Sequence, residues 1–225
     1  MENFWRYYKD LVSQLYEPLS PEDGFSEDEL EGAEKRLGLR LPGLLREYYL
    51  LAGKREDINQ AHNKLVHPDE LQIEDGKLVF FLENQVINIW GIEASDINLD
   101  NPPVTRGDSM EVIEEIVWEP DFEQLSFFLL AMLCWQGVMG GMECRATVSG
   151  IDAQVERVAR EKWRAIDLGK NRSGIRPYIG DGQLLCLAGI NPDVQLFAGA
   201  RTEDKFTEIE DLLNVDWDYC SLDDE

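Results

Sequence analysis

The sequence predicts an α+β fold, with a central, largely antiparallel or mixed β-sheet, N-terminal helices and a covering apolar helix. Three observations predict it. Helical apolar spacings are grouped in the first 53 residues, β-prone runs follow at 77–92, and an apolar segment stands at 127–135. Such segregation favours α+β over a regularly alternating parallel sheet. With 225 residues, of which 44% are hydrophobic, the chain is long enough for one packed domain spanning residues 1–225.

The N-terminal region predicts three helices. Residues 3–16 carry an apolar stripe at helical spacing, and this helix is expected to pack beside a helix pair at 26–53. In that pair Ser26 and Glu29 have the spacing of a capping box. Gly38 is expected to end the first helix in the left-handed conformation.

The second helix of the pair is bounded by a proline and a glycine. Pro42 is expected at its first position, because its fixed φ and missing N–H suit that place. Gly53 is expected to end it with a positive φ.

Strands are predicted in the middle of the chain. After a polar loop at 54–64, Asp75-Gly76 indicates a turn, and the runs 78–82 and 86–92 read as a hairpin. Residues 112–118 are compatible with a further strand. The apolar run that ends at Trp135 is expected to be a buried helix, since it is far shorter than the roughly 20 residues of a membrane span.

The C-terminal third repeats the mixture of helix and strand. A helix is predicted at 151–166, a loop at 169–177, and strands at 184–189 and 194–200, which are expected to complete the sheet. A closing helix at 206–213 precedes an acidic tail. Gly140-Gly141 separates this region from the preceding helix.

The order of these pieces resembles the SUKH superfamily, the Smi/Knr-like domains. The residues that carry the resemblance are FSEDELEGAEKRLGLRLPGLLREYYLLAG at 25–53, HPDEL at 67–71, KLVFFLENQ at 77–85, INIWGI at 87–92, NPPV at 101–104 and EQLSFFLLAMLCW at 123–135. The clearest match covers about residues 20–140, with 141–225 as a C-terminal extension of the same domain. The resemblance implies protein binding, since the superfamily includes bacterial toxin-immunity proteins and fungal regulators.

The net charge of the chain indicates which classes of partner are favoured. The 45 acidic residues against 21 basic ones give a formal charge of −24. Such a surface repels phosphate backbones and anionic membranes, so direct nucleic-acid or membrane binding is not expected, and cationic proteins are favoured. The alternative is that the carboxylates only keep the surface soluble.

Compartment and redox state follow from the N-terminus and the cysteines. MENFWRYYKD lacks the basic and apolar regions of a signal peptide, so a cytoplasmic location is expected. The four cysteines, Cys134, Cys144, Cys186 and Cys220, are widely spaced and are expected to be reduced structural thiols.

Candidate catalytic and metal sites are not supported by the spacings. His62 and His67 lack the i, i+4 spacing of a helical zinc pair. Residues 96–101 begin like an EF-hand loop but lack its turn glycine and bidentate glutamate. Ser149 is not in a G-x-S-x-G elbow. No catalytic, metal or cofactor residue is therefore assigned.

The sequence thus predicts a non-catalytic protein-binding domain, which the resemblance makes an immunity protein for a cognate, possibly basic and nuclease-like, bacterial toxin. A regulatory interaction module without a toxin is the first alternative, and a hydrolase the second. Trp and Tyr are enriched at binding hot spots, and carboxylates suit a basic partner. The predicted partner-binding residues are Asp96, Asp100, Asp216, Trp217, Asp218 and Tyr219.

Overall fold

The computed structural model describes residues 2–108, 116–189 and 193–223. It confirms the α+β class. The helices are α1 (Glu2–Leu15), α2 (Glu27–Leu37), α3 (Gly43–Ala52), α4 (Glu56–Asn59), α5 (Leu125–Gln136), α6 (Ala153–Lys162) and α7 (Glu203–Leu213). The strands are β1 (Lys64–Leu65), β2 (Gln72–Glu74), β3 (Lys77–Leu82), β4 (Asn88–Glu93), β5 (Val104–Asp108), β6 (Val117–Phe122), β7 (Cys144–Ser149), β8 (Arg164–Ala165), β9 (Arg176–Gly180), β10 (Gln183–Ala188), β11 (Gln195–Ala200) and β12 (Tyr219–Cys220).

The chain forms two compact units. The first contains Leu19–Leu129 and Gly169–Arg172, and the second contains Glu2–Pro18, Leu130–Leu168 and Ser173–Glu225. The boundary falls within α5, not at the predicted Gly140-Gly141, where the chain instead makes a π-helical turn. A single domain over the whole chain stays a prediction.

The first unit is built on an antiparallel sheet of order β1-β3-β4-β5-β6, with β2 also paired to β3. The predicted hairpin is confirmed as β3 and β4, although the second strand begins at Asn88. Val86 and Ile87 lie in the connecting turn and are exposed, so the strand predicted from residue 86 starts two residues too early. The Asp75-Gly76 turn is confirmed, because both residues have positive φ between β2 and β3.

One phenylalanine centres the core of this unit. Phe128 of α5 packs against four aromatic rings at centroid distances of 5.2 to 5.7 Å, which belong to Phe80, Phe81, Trp90 and Phe122. Edge-to-face ring pairs add about 0.5–1.5 kcal/mol beyond their buried area. The apolar run is therefore a buried helix, as predicted.

The helix pair confirms the capping prediction. Ser26 and Glu29 exchange both bonds of a capping box, and Gly38 ends α2 with φ 71°. Two boundary predictions are wrong. Pro42 precedes the helix as its N-cap, with ψ 139°, and Gly53 has an ordinary helical φ of −60°. Gly53 is needed for space instead, because a Cβ there would lie 2.6 Å from the Phe25 ring.

Other local expectations differ from the structure. The loop expected at 54–64 contains α4 and the first residue of β1. Of the strand expected at 112–118, residues 112–115 lie outside the described residues, and β6 begins at Val117.

The second unit has its own antiparallel sheet, of order β12-β7-β11-β10-β9-β8. The predicted hairpin is confirmed as β10 and β11. Its expected place in the first sheet is wrong, since these strands pair with β9 and β7. The segment Asn191-Pro192-Asp193 has the composition of a turn between these strands, and its residues 191 and 192 lie outside the described residues. The loop predicted at 169–177 is shorter, because β9 begins at Arg176.

Helices cover both faces of the second sheet. Val155 and Ala159 of α6 and Phe206 and Ile209 of α7 join one buried cluster with alternate residues of the strands. Trp135 of α5 packs on Phe197 at 4.9 Å, and Phe197 points to the other face because strand residues alternate. Helix α1 groups with this unit and contacts β10. The helix predicted at 151–166 ends early, at Lys162.

Candidate functional site

A cleft of about 460 Å³ opens in the second unit. It is bordered by the end of β7 and the following turn, by the first turns of α6, and by the end of α7 and the residues after it. The lining residues are 148–152, 154, 155, 158 and 212–216. The cleft therefore gathers segments that are about 60 residues apart in the chain.

The β7–α6 side of the cleft is fixed by backbone hydrogen bonds and a helix cap. Gly150, with φ 67°, and Ile151 both donate their N–H groups to the carbonyl of Val194, at 3.0 and 3.2 Å. Asp152 then caps α6, and its Oδ1 accepts from the backbone N–H groups of Gln154 and Val155 at 2.8 and 2.9 Å. This wall is consequently held by a local helix cap and by hydrogen bonds to a residue that is distant in sequence.

The opposite side is the C-terminus of α7. Asn214 adopts the left-handed conformation, with φ 48°, and its N–H donates to the Glu210 carbonyl at 2.8 Å. The last carbonyls of a helix carry a partial negative charge, which basic side chains usually offset. The last turn of α7 has no basic residue. This wall therefore presents negative potential.

Four valines contribute apolar surface to a lining that is otherwise largely polar. Val155 is buried in the core of the unit, while Val148, Val158 and Val215 are partly buried against that core. Leu212 adds an exposed apolar side chain, with 42% of its surface accessible. Apolar side chains next to a few polar groups are typical of binding sites in proteins.

Among the described residues, all charged residues that line the cleft are acidic. They are Asp152 and Asp216. Asp152 is engaged in the helix cap, whereas Asp216 is exposed and, within the described part of the chain, has no hydrogen-bond or ion-pair partner. The arginines of α6, Arg157 and Arg160, pair with glutamates of their own helix. The N-terminus of α6 carries partial positive charge, which the Asp152 cap offsets, so Asp216 and the end of α7 leave a cation as the electrostatic complement of the cleft.

The other residues predicted in the tail lie close to Asp216 but make different contacts. Asp218 Oδ2 accepts a 2.8 Å hydrogen bond from the Ser149 backbone N–H. Tyr219 pairs with Thr147 in the sheet and is 45% exposed. Trp217 is partly buried, with its ring 5.9 Å from that of Phe206. Only Asp216 of this group lines the cleft.

The remaining predicted residues, Asp96 and Asp100, belong to the first unit. Asp96 closes a 3₁₀ turn, where its carbonyl accepts from the Leu99 N–H at 2.9 Å. The Asp100 carbonyl accepts from the Leu44 N–H at 2.9 Å, and its carboxylate lies beside Gly43. A carboxylate at the first turn of a helix stabilises that helix. Asp100 thus has a structural contact that the sequence did not indicate.

A second concavity, of about 610 Å³, lies in the first unit and is lined by Phe25, Gly53, Lys54, Glu56, Gln60 and His67. Its ionisable side chains are mixed in type, and Lys54 and His67 already have acidic partners. Lys54 binds Glu29 at 3.3 Å and stacks over the Phe25 ring, and His67 pairs with Asp69. Because of these contacts, the second concavity has less unpaired charge of one sign with which to attract a charged ligand.

Nucleophilic and metal chemistry find little support in the described residues. Burial raises the pKa of the Cys134 thiol to about 12 and that of Cys186 well above its usual value, so neither is a ready thiolate. No group of three or more His, Cys, Asp or Glu side chains within the described ranges is placed to hold a metal ion. His62 lies 3.4 Å from the Asn84 side chain.

Comparisons with known proteins add no relative. No protein-family model, curated protein or solved structure matches this chain. Across the described residues, no helix has both the length and the apolar character needed to cross a membrane.

Sequence reasoning missed most of the cleft. Asp152 has the local pattern of a helix cap, and Val155 and Val158 belong to the apolar stripe of α6, so each has a structural explanation in sequence. Their proximity to Asp216 arises only when α6 and α7 pack on the same face of the sheet. The signal available in sequence was the acidic segment after α7, and it led to Asp216.

Proposed function

We propose that this protein is a non-catalytic protein-binding domain that acts in the cytoplasm as an immunity protein and neutralises a cognate, cationic bacterial toxin. The observation that carries the proposal is the acidic cleft of the second unit, where Asp216, without a hydrogen-bond or ion-pair partner among the described residues, lines the cleft together with several valines. The formal charge of −24 supports the same partner chemistry. Electrostatic complementarity gives such complexes their speed and specificity.

The protein would neutralise the toxin by occupying the toxin's substrate-binding surface. A basic toxin that acts on nucleic acid needs its positive surface to bind phosphates, and an acidic protein seated on that surface excludes the substrate. The acidic side chains are thereby used for recognition as well as solubility. Direct binding of nucleic acid or of anionic membranes by this chain is not part of the proposal, because its charge repels both.

A regulatory interaction module without a toxin is the alternative. The same cleft would then bind a basic segment of a signalling partner. The two functions differ in genetic context and in consequence: an immunity protein is encoded beside a toxin gene and rescues growth, whereas a regulatory module does neither. A hydrolytic enzyme is the second alternative, and among the described residues no group of three or more His, Cys, Asp or Glu side chains is placed to hold the metal ion that many hydrolases use.

The test is co-expression with the product of a neighbouring toxin gene in a bacterial host. We expect growth to be restored and the two proteins to co-elute as a stable complex. The toxin alone should arrest growth. A co-expressed protein of equal charge and unrelated fold serves as the control for non-specific acidity. Growth arrest that persists despite soluble expression of both proteins would reject the immunity function.

A further inference from the structure

The charge pattern of the cleft defines its ligand more closely than net charge does. Both lining carboxylates are exposed, but Asp152 caps α6, whereas Asp216 has no hydrogen-bond or ion-pair partner among the described residues, and the C-terminus of α7 adds partial negative charge beside it. No Lys, Arg or His lines the cleft among the described residues. A cationic group bound here would therefore meet attraction without competition from a resident cation.

The valines in the lining indicate what the cation is attached to. Val155, Val158 and Val215 offer hydrocarbon surface next to Asp216. A long basic side chain has this division, since its methylene stem packs on apolar surface while its head stays with charged groups and water. Arginine suits the site better than lysine, because its guanidinium is more weakly hydrated and can bind a carboxylate through two N–H groups.

We propose that the cleft is the docking site for an arginine-bearing segment of the protein partner. The guanidinium binds Asp216 beside the end of α7, and its stem and the neighbouring side chain pack on the valines. The cleft's volume of about 460 Å³ lies within the roughly 300–1,000 Å³ of ligand sites in proteins. This inference rests on the proposed protein-binding function and adds the site and the residue type that it recognises.

The test uses two peptides that differ only in charge. Acetyl-Val-Arg-Val-amide carries the guanidinium, and acetyl-Val-citrulline-Val-amide replaces it with an uncharged group of similar shape. Binding to the full chain is followed by ¹H–¹⁵N correlation spectra at low salt. We expect the arginine peptide to shift the amides of Ser149, Val155 and Asn214. We expect the citrulline peptide to bind about three- to fivefold more weakly, since exposed ion pairs contribute up to about 1 kcal/mol.

Variants at position 216 test whether the Asp216 carboxylate causes the preference for the arginine peptide. Asp216→Asn should bind both peptides equally, and Asp216→Glu should restore the preference for arginine. Asp10→Asn is the matched control, because Asp10 is an exposed aspartate of the same unit that does not line the cleft. It makes the same change in net charge and should leave the preference intact.

The outcomes separate this inference from the proposed function. Equal binding of the two peptides by the unaltered protein, or shifts confined to amides away from the cleft, would overturn the inference. A toxin complex whose affinity is unchanged by Asp216→Lys would also overturn it while leaving toxin neutralisation standing. If the peptides bind at the cleft in a charge-dependent way but no complex with a toxin forms, the proposed toxin neutralisation is wrong and the proposed arginine-binding site is supported.

Discussion

The carboxylate of Asp218 closes the edge of strand β7 by accepting the backbone N–H of Ser149 at 2.8 Å. The neighbouring strand β12 is only two residues long, and the Asp218 N–H donates to the Thr147 carbonyl at 2.8 Å. Asp218 therefore extends the pairing of β12 with its own side chain. Two residues earlier, Asp216 makes no such contact within the described residues and faces the cleft.

This difference predicts that alanine substitutions of the two aspartates change the free energy of unfolding by unequal amounts. Asp218→Ala should lower the free energy of unfolding by about 1 kcal/mol, because it leaves the Ser149 N–H without its acceptor. Asp216→Ala should change stability by less than about 0.5 kcal/mol, as for most exposed positions. Urea unfolding of the two variants measures both values. Equal stabilities would show that the Asp218 bond contributes nothing measurable.

Gly53→Val should destabilise the first unit by about 1–3 kcal/mol through overpacking. A Cβ at Gly53 would lie 2.6 Å from the Phe25 ring and 2.8 Å from the Tyr49 carbonyl oxygen. Gly32→Ala is the matched control, since a Cβ at Gly32 meets no atom within 4 Å and alanine favours the helix, so it should stabilise by about 0.5–1 kcal/mol. Thermal unfolding compares the pair, and a Gly53→Val protein as stable as the parent would contradict the packing argument.

The capping box of α2 should make stability depend on acidity. Hydrogen bonds from the Ser26 backbone and side chain lower the pKa of Glu29 from 4.5 to about 2. A group whose folded pKa is lowered stabilises the fold fully above its unfolded pKa, and that contribution is lost as pH falls from about 4.5 through about 2.

Glu29→Gln retains a capping side chain but does not titrate. Its melting temperature should therefore fall less than that of the parent between pH 6 and pH 2. Glu31→Gln, an exposed change in the same helix, should follow the parent curve. Parallel curves for the parent and Glu29→Gln would exclude the box as a source of acid sensitivity.

Asp121→Asn should stabilise the protein at neutral pH. Burial raises the pKa of Asp121, despite the 2.9 Å hydrogen bond that its Oδ2 accepts from Trp90 Nε1 and the attraction of Arg106 and Arg172. Because the folded pKa lies above the unfolded one, the carboxyl opposes folding progressively as pH rises between the two values. Asparagine can still accept from Trp90. Melting curves from pH 3 to pH 7 should show the variant gaining on the parent as pH rises, and a constant difference would contradict this.

Association with a cognate cationic toxin should depend strongly on salt. Electrostatic steering raises association rates by roughly ten- to a thousandfold, and salt screens it, whereas short-range packing mainly sets dissociation. Stopped-flow mixing at about 20 and 500 mM salt should thus change the association rate much more than the dissociation rate. A cognate complex whose association rate is insensitive to salt would assign the acidic surface to solubility.

The sequence by itself determined the local structure of this protein. The capping box at Ser26, the left-handed Gly38 and the Asp75-Gly76 turn were predictable, because each depends on hydrogen bonds or backbone conformations within a few residues. Helix and strand periodicities likewise predicted the α+β class and the two main hairpins. Local patterns carry this information because side-chain spacing follows directly from helix and strand geometry.

Only the tertiary structure decided how these elements combine. The residue pattern of β10 and β11 does not specify which sheet these strands join, because the edge of any strand offers the same backbone hydrogen-bonding groups. Gly53 has a helical φ, and its need for glycine comes from the Phe25 ring, which packing brings against it. Asp216 and Val158 became neighbours in one cleft because α6 and α7 bury their apolar stripes on the same sheet face. The burial of apolar surface between segments that are distant in sequence determines this packing, and no short segment specifies it.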